Sequence, residues 1–543
     1  MSTPMLLALV VAAVVVSLLI SAASYTLMAR WVRAEVPTFR RGLAVALFSA
    51  ACSFVVMGWF QLSTNVAETN PGLFLLAAVV ANILVPIIAT AKIFRASLLR
   101  SIGIYLGASL LGGVAVVVIA LAVKSTLVES FVVPTGSMAP TIRGDHIRYP
   151  CTNCGREMVV GTNGNPNELY FGPCVSVEGR CVNCGHINSP GVKWDYSDGE
   201  RVAVDKVADV ARWNLVLFRR RLYPEIDFER DYVKRFVGMP GEKVEWYGGE
   251  LFANGKLLRK PPGRMDSLWF PVNDSAFAPG DPDAQKWKSD DNDPAWRRLD
   301  GQWRGIPTKD AAARLQFAGE IGDLFEYNAA HRQEKFIVTD VMVRLTEVRM
   351  SSRVLAIDWK FGGTAVRFEI DADAAELRIR QYEPVVREID KVDIDAASLK
   401  LEPIEFAVRD GQAYVRQSGV TIASGEFGPT TLAEYRGQYG APRKQKEECS
   451  IEITAHGEQV AIGRIELFRD INYLTSEELG VDAPDDVAWL NDAVQLGDDE
   501  YLALGDNSDS ALDSRFWGPV PRNNVAGVVK WLYWPPSRAQ EFE

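Results

Sequence analysis

The sequence predicts a bundle of four transmembrane helices followed by a mainly-β extracytoplasmic part. Three observations predict it. The first quarter holds four apolar runs, each near the ~20 residues a helix needs to cross hydrocarbon. Beyond them, alternating and β-branched segments recur, while long amphipathic helical patterns are scarce. The chain, at 543 residues, also exceeds one ordinary core, so several domains are expected. Its net charge of -11 resides mostly in the soluble part and argues against nucleic acid as a main partner.

The apolar runs are Leu6–Met28, Gly42–Leu62, Leu73–Ala91 and Ile102–Val123. Met1–Met5 lacks a positive charge and the first run is long, which favours a retained span over a cleaved leader. Arg30, Arg33, Arg40 and Arg41 mark the first loop as cytoplasmic, and Lys92, Arg95 and Arg100 mark the third. The second loop, Ser63–Pro71, carries only Glu68. Four spans therefore return everything after residue 124 to the outside.

Strand candidates follow at Leu215–Phe218, Tyr232–Val237, Lys243–Trp246 and Val525–Trp534, bounded by Gly, Pro and Asn. Two insertions interrupt them. Residues 150–197 are rich in Gly and Asn, with clustered cysteines. Residues 262–495 open on a loop-like, acidic stretch with Trp269, Trp287, Trp296 and Trp303. Strand candidates then run through Phe336–Leu345, Val354–Phe361, Ala365–Ile370, Leu377–Tyr382, Ile404–Val408, Ala413–Val415, Ser450–Thr454 and Ala461–Phe468, with Asp410-Gly411 as a hairpin turn. Short strands at this spacing suggest a β-sandwich of jelly-roll or lectin-like type.

Cys151-Thr-Asn-Cys154-Gly and Cys181-Val-Asn-Cys184-Gly are two matched knuckles. Four thiolates from two such turns suit tetrahedral zinc and leave no open position, so the metal would be structural rather than catalytic. Disulfide bonding is the competing reading, because the region faces an oxidising side and Cys174 is a fifth cysteine.

Chemistry is concentrated elsewhere. Phe131-Val-Val-Pro-Thr-Gly-Ser-Met-Ala-Pro-Thr141 follows the last apolar run by about ten residues. A serine hydroxyl needs a positioned base. None of the four histidines, His146, His186, His331 and His456, stands in a pattern that suggests a His-Asp triad. A lysine can serve if burial lowers its pKa. On a strand, Lys234 shares a face with Tyr232 and Phe236, among large apolar side chains. Taken singly, a Gly-Ser is usually a turn and a strand lysine a solvated edge residue.

The combination is more specific. Ser137 and its flanks, Tyr232-Val-Lys-Arg-Phe-Val-Gly-Met-Pro-Gly241, and Gly505-Asp-Asn-Ser508 running on to Asp513-Ser-Arg-Phe-Trp-Gly518 together resemble the type I signal peptidases, membrane-anchored serine proteases with a Ser-Lys dyad. The resemblance covers the last span, the flanks of Ser137, roughly 200–260 and 500–535. It implies Ser137 as nucleophile, Lys234 as general base and Thr135 as a hydroxyl donor to the oxyanion. It also implies Asp513 and Arg515 as a structural pair. The family's lysine-orienting serine falls at Ala511, so Ser510 is the candidate orienter. Trp213-Asn214 stands where a Gly-Asp pair is usual.

The resulting division is 1–124 membrane helices, 125–149 nucleophile segment, 150–197 zinc-ribbon-like insertion, 198–261 lysine segment, 262–495 β-sandwich-like insertion and 496–543 C-terminal motif. The expected activity is cleavage of signal peptides from exported preproteins at small-x-small sites. It would occur beside the lipid bilayer of the cell (inner) membrane, with no catalytic cofactor. The rivals are an inactive homologue or a receptor that binds signal peptides or glycans, with a ligand of 262–495 unidentified.

Overall fold

The computed structural model describes residues 3–62, 80–165, 168–169, 172–173, 179–188, 194–221, 229–263, 265–280, 284–289, 295–308, 310–331, 336–350, 354–395, 399, 402–439, 449–475 and 493–542. The chain forms two compact units, Met1–Glu129 and Ser130–Glu543. It is mainly β, with a helical first unit.

That unit contains helices Thr3–Trp31, Phe39–Leu62, Val85–Phe94 and Leu98–Thr126. Small and apolar side chains, among them Ala22, Ala29, Val45, Phe94, Ile104 and Ala108, pack where the helices meet. Leu99, Leu106, Leu110, Val114 and Val117 face outward. Such an apolar exterior suits lipid and is costly in water. Among the described residues one helix, over Leu98–Ala115, is both long and apolar enough to cross a membrane, and Val15–Trp31 and Asn82–Phe94 are shorter apolar stretches. The expected four spans thus reduce to one that meets the test. The second predicted loop and the start of the third run lie outside the described residues.

In the second unit a sheet carries Arg201–Asp205, Val525–Trp534, Leu215–Arg220, Arg230–Gly238, Glu500–Leu504 and Val520–Pro521 in that order. Neighbours within it come from opposite ends of the sequence. A smaller sheet, Lys256–Leu257, Glu250–Ala253, Lys243–Tyr247 and Ala493–Gln495, lies next in the chain. Its Val244, Trp246 and Leu251 share a core with Val237, Leu502 and Leu504 of the first.

Between these segments lie two further antiparallel sheets. One runs Phe270–Asp274, Arg464–Arg469, Val341–Thr346, Ile404–Arg409, Gln412–Gln417, Val420–Glu426. The other runs Trp287–Ser289, Ala313–Phe317, Ser450–Ala455, Val354–Phe361, Thr364–Asp371, Glu376–Glu383, Arg387–Asp393. Val343, Leu345, Phe406 and Val415 of the first and Ile357, Val366, Phe368 and Ile453 of the second fill one core. This is the sandwich arrangement that alternating strands produce when each buries one face. Asp410 and Gly411 both have positive φ, 49° and 70°, as a two-residue hairpin turn of the expected kind requires. The candidate strand Phe336–Leu345 begins only at Val341, and Ala461–Phe468 breaks at Gly463 into two strands.

The tryptophans of the acidic stretch are buried. Trp269, Trp287, Trp296 and Trp303 are each at most 6% exposed, so they are core rather than a sugar-binding face. A buried ionic cluster underlies the same region. Lys260 pairs with Asp410 and Asp470, and Arg409 with Asp470. The adjoining carboxylates hold the Lys260 ammonium above its ordinary pKa, against the opposing effect of burial.

Candidate active site

Gly136–Met138 forms a single 3-10 turn. The Ala139 N–H donates to the Gly136 carbonyl (3.0 Å) and Ile142 N–H to that of Met138 (2.9 Å). Met138 is fully buried beside Val133 and Ile142 and belongs to the core. Thr135, just before the turn, is extended and exposed. A Cβ on Gly136 would lie 2.2 Å from the ring of Tyr327, so only glycine fits there.

Lys234 lies in the strand Arg230–Gly238, opposite Val216 of the neighbouring strand. Tyr232 and Phe236 on its face stack around Phe218 at 5.9 and 6.0 Å, with Trp517 and Tyr501 beside them. Lys234 is 2% exposed, and its amine donates to the Ser137 hydroxyl. Burial depresses the ammonium to a pKa of about 8, against the pull of Asp513 and Asp506, with Arg515 adding to the depression. Neither carboxylate is free to pair with it. Asp506 is held by Nε and Nη2 of Arg235, each at 2.7 Å, and Asp513 by Arg515. His146 lies on a different strand, bonded to the Gly144 carbonyl, and burial pushes it down to about 4.

The C-terminal motif is a bent loop. The Asp513 carboxylate accepts from Gly505 N–H (2.9 Å), Arg515 N–H and the Arg515 guanidinium, and caps the helix Ser514–Trp517. Arg515 also donates to the Leu474 and Ser508 carbonyls and to the Ser508 hydroxyl. Ser510 does not meet its expectation. Its hydroxyl is buried with no hydrogen-bond partner, and the amine of Lys234 is turned to Ser137 instead. The bend is fixed by Arg515, which ties the loop to Leu474, Ser508 and Asp513. The departure at Trp213 has a backbone reason. Its φ is 71°, a conformation that glycine adopts at no cost, and here the indole offsets the strain by burying itself against the second sheet.

Two features were not anticipated. Asn507 donates from its backbone to the Ser137 carbonyl (3.1 Å) and from its side chain to that of Gly136 (3.0 Å). Asn328, from the long insertion, pairs with the Asn507 amide. Asn507 stood within the recognised motif, but Asn328 carried no local signal.

The four cysteines Cys151, Cys154, Cys181 and Cys184 converge, with all sulfurs within 4.8 Å of one another. Cys151–Cys184 and Cys154–Cys181 are 3.7 Å apart, and none is disulfide-bonded. Each knuckle closes identically, Gly155 N–H to the Cys151 carbonyl and Gly185 N–H to that of Cys181, both glycines at φ 75°. Cys174 lies outside the described residues.

Comparison with known proteins bears on the sheet just described. A family model described as signal peptidase, peptidase S26, matches residues 176–273 and 435–534, which include Lys234 and the C-terminal motif but not Ser137. A signal peptidase I of Leptolyngbya laminosa is 39% identical over 71 residues, 13% of this chain and 34% of that protein. A signal peptidase IB of Staphylococcus aureus (strain Mu50) is 40% identical over 68 residues, 12% and 32% of the two. The chain thus spans about a third of the length of these curated relatives. Among solved structures, an endo-β-1,3(4)-glucanase of family GH16 is similar over 39% of this chain and 98% of its own, with 9% identity and a TM-score of 0.27. A Griffonia simplicifolia lectin covers 36% and 97%, with 11% identity and a TM-score of 0.24. At these scores neither carries an argument about this chain. The two matched segments build the central sheet and its bent loop, and over them the chain is similar to the signal peptidase family, peptidase S26.

Proposed function

We propose that this chain is a membrane-anchored serine endopeptidase that removes signal peptides from exported preproteins, with Ser137 as nucleophile and Lys234 as general base. The observation that carries the reading is the buried Lys234 amine donating to the Ser137 hydroxyl, with burial as the main cause of its lowered pKa. In the neutral form the amine takes the proton as the Ser137 oxygen attacks the scissile carbonyl. The Ser137 N–H and the Thr135 hydroxyl stabilise the oxyanion. Lys234 then returns the proton to the departing amine, and a water deprotonated by Lys234 hydrolyses the acyl-enzyme. The anchor includes Leu98–Thr126. Further crossings by the other apolar runs belong to the same proposal, as does an extracytoplasmic catalytic part.

Purified full-length protein in detergent is expected to cut a model preprotein after a small-x-small site, and Ser137→Ala is expected not to. Equal cleavage by both would assign the activity to a contaminant. Binding of the preprotein without cleavage by wild type would favour a signal-sequence receptor, a reading to which the lack of a hydrogen bond from Ser510 to Lys234 would lend weight.

We also propose that the four cysteines hold one structural zinc. Zn–S bonds of about 2.3 Å in a tetrahedron place sulfurs about 3.8 Å apart, close to the 3.7 Å found for two pairs. Asn188 donates to the Cys151 sulfur at 3.5 Å, as a supporting group outside the ligands would. Elemental analysis is expected to give about one zinc per chain, with chelation lowering the Tm. A metal-free protein with its cysteines disulfide-bonded would overturn this assignment and leave the peptidase reading intact.

A further inference from the structure

The 3-10 segment Glu326–His331 belongs to the long insertion, yet three of its residues bear on the nucleophile turn. Tyr327 packs its ring against Gly136 and donates to the Asp145 carbonyl at 3.3 Å. Glu326 is buried and paired to Arg156, which follows the first cysteine knuckle, at 2.5 Å. Asn328 meets Asn507 in a reciprocal amide pair: Asn328 donates to the Asn507 oxygen at 2.7 Å and accepts from its nitrogen at 2.6 Å. The second hydrogen on that nitrogen goes to the Gly136 carbonyl at 3.0 Å.

Each atom of the Asn507 amide therefore has an assigned task. Both hydrogens are used, and its oxygen faces a donor. The Gly136 carbonyl fixes which way the amide is turned, because a flipped amide would set oxygen against oxygen. With that orientation set, the two bonds to Asn328 hold the Asn507 amide in place from the other side. The pair across the insertion thus braces the side chain that holds the turn next to Ser137.

We propose that Asn328 is a positioning residue for the nucleophile: it acts through Asn507 to hold the Gly136–Ser137 turn at the Lys234 amine. The proposal rests on the peptidase reading above for its kinetic consequence, but its geometry can be tested separately. It gives the long insertion a part in the site that is independent of any ligand it binds.

The test compares full-length wild type, Asn328→Ala and Asn328→Asp in detergent by cleavage kinetics, thermal unfolding and hydrogen exchange. Asp at this position accepts but cannot donate, so it leaves the Asn507 oxygen without a partner. For both variants kcat is expected to fall about tenfold to a hundredfold, the scale of a small misplacement of reacting groups, with KM and Tm unchanged. The Asn507 and Ala139 amides, which report the turn, are expected to exchange faster. Wild-type kcat and exchange in both variants would overturn the proposal, as would a rise in KM alone, which marks a substrate contact. A fall in kcat that merely follows a fall in Tm would reduce Asn328 to a folding residue. If wild type fails to cleave while exchange at Asn507 and Ala139 still rises in the variants, the positioning stands and the peptidase reading falls.

Discussion

Lys234→Met is expected to abolish cleavage, by about 10⁴-fold or more, while raising the thermal stability of the protein. The two effects share one cause. Lys234 is buried on a strand whose Tyr232 and Phe236 belong to an aromatic cluster, and its amine bonds to the Ser137 hydroxyl rather than to a carboxylate. Burial brings its pKa from the ordinary lysine value to about 8. Between pH 8 and the ordinary lysine range the unfolded chain binds more protons than the folded one, so stability rises with pH across that window. Below it, a proton held in a poor environment weighs against the fold. Methionine fills similar space without a charge and removes that burden. Cleavage in wild type follows the opposite requirement, a free amine. Its rate should therefore climb with pH through a midpoint near 8, and a pH profile of kcat/KM measures it directly. A midpoint in the histidine range would assign the base elsewhere. Loss of stability in Lys234→Met would show the lysine to be a structural residue.

The meeting of Ser137 with Lys234 was legible because each lies in a short, local pattern. The strand around Lys234 alternates large apolar residues with the lysine, and that alternation alone places the amine among rings. The sandwich strands were legible for the same reason, since strands such as Glu376–Glu383 and Arg464–Arg469 bury every second side chain. What escaped depends on longer connections. Asn328 meets Asn507 across 179 residues, and nothing near it distinguishes it from any loop asparagine. Ser510 was misplaced because sequence position gives no register in a loop whose course is set by Arg515. The four-span count came from composition, whereas the described helices furnish one stretch that is both long and apolar enough. The tryptophans near the start of the insertion stand in a stretch that reads as loop-like and acidic, with no sign of burial. Their burial follows instead from strands that close the sandwich.

Arg515→Ala is expected to cost about 3–5 kcal/mol, the scale for removing one partner of a buried ion pair, and to take cleavage down with it. Neither Asp513 nor Arg515 is exposed at all. The five N–H donors of the guanidinium are all engaged, with both Asp513 oxygens, the Ser508 carbonyl and hydroxyl, and the Leu474 carbonyl. The loop so held carries Asn507, whose N–H reaches the Ser137 carbonyl. Truncation leaves the buried Asp513 carboxylate with only backbone donors, and frees the loop that supports the Ser137 turn. Arg515→Lys should recover little, because an ammonium offers three donors from one point where five are needed in a plane. Chemical denaturation and cleavage assays on both variants test this together. A large fall in Tm with proportionate loss of activity is the expected pair. Activity lost at full stability would instead place Arg515 in contact with substrate. Recovery of both by lysine would mean that charge alone, and not the fork of hydrogen bonds, holds the loop in place.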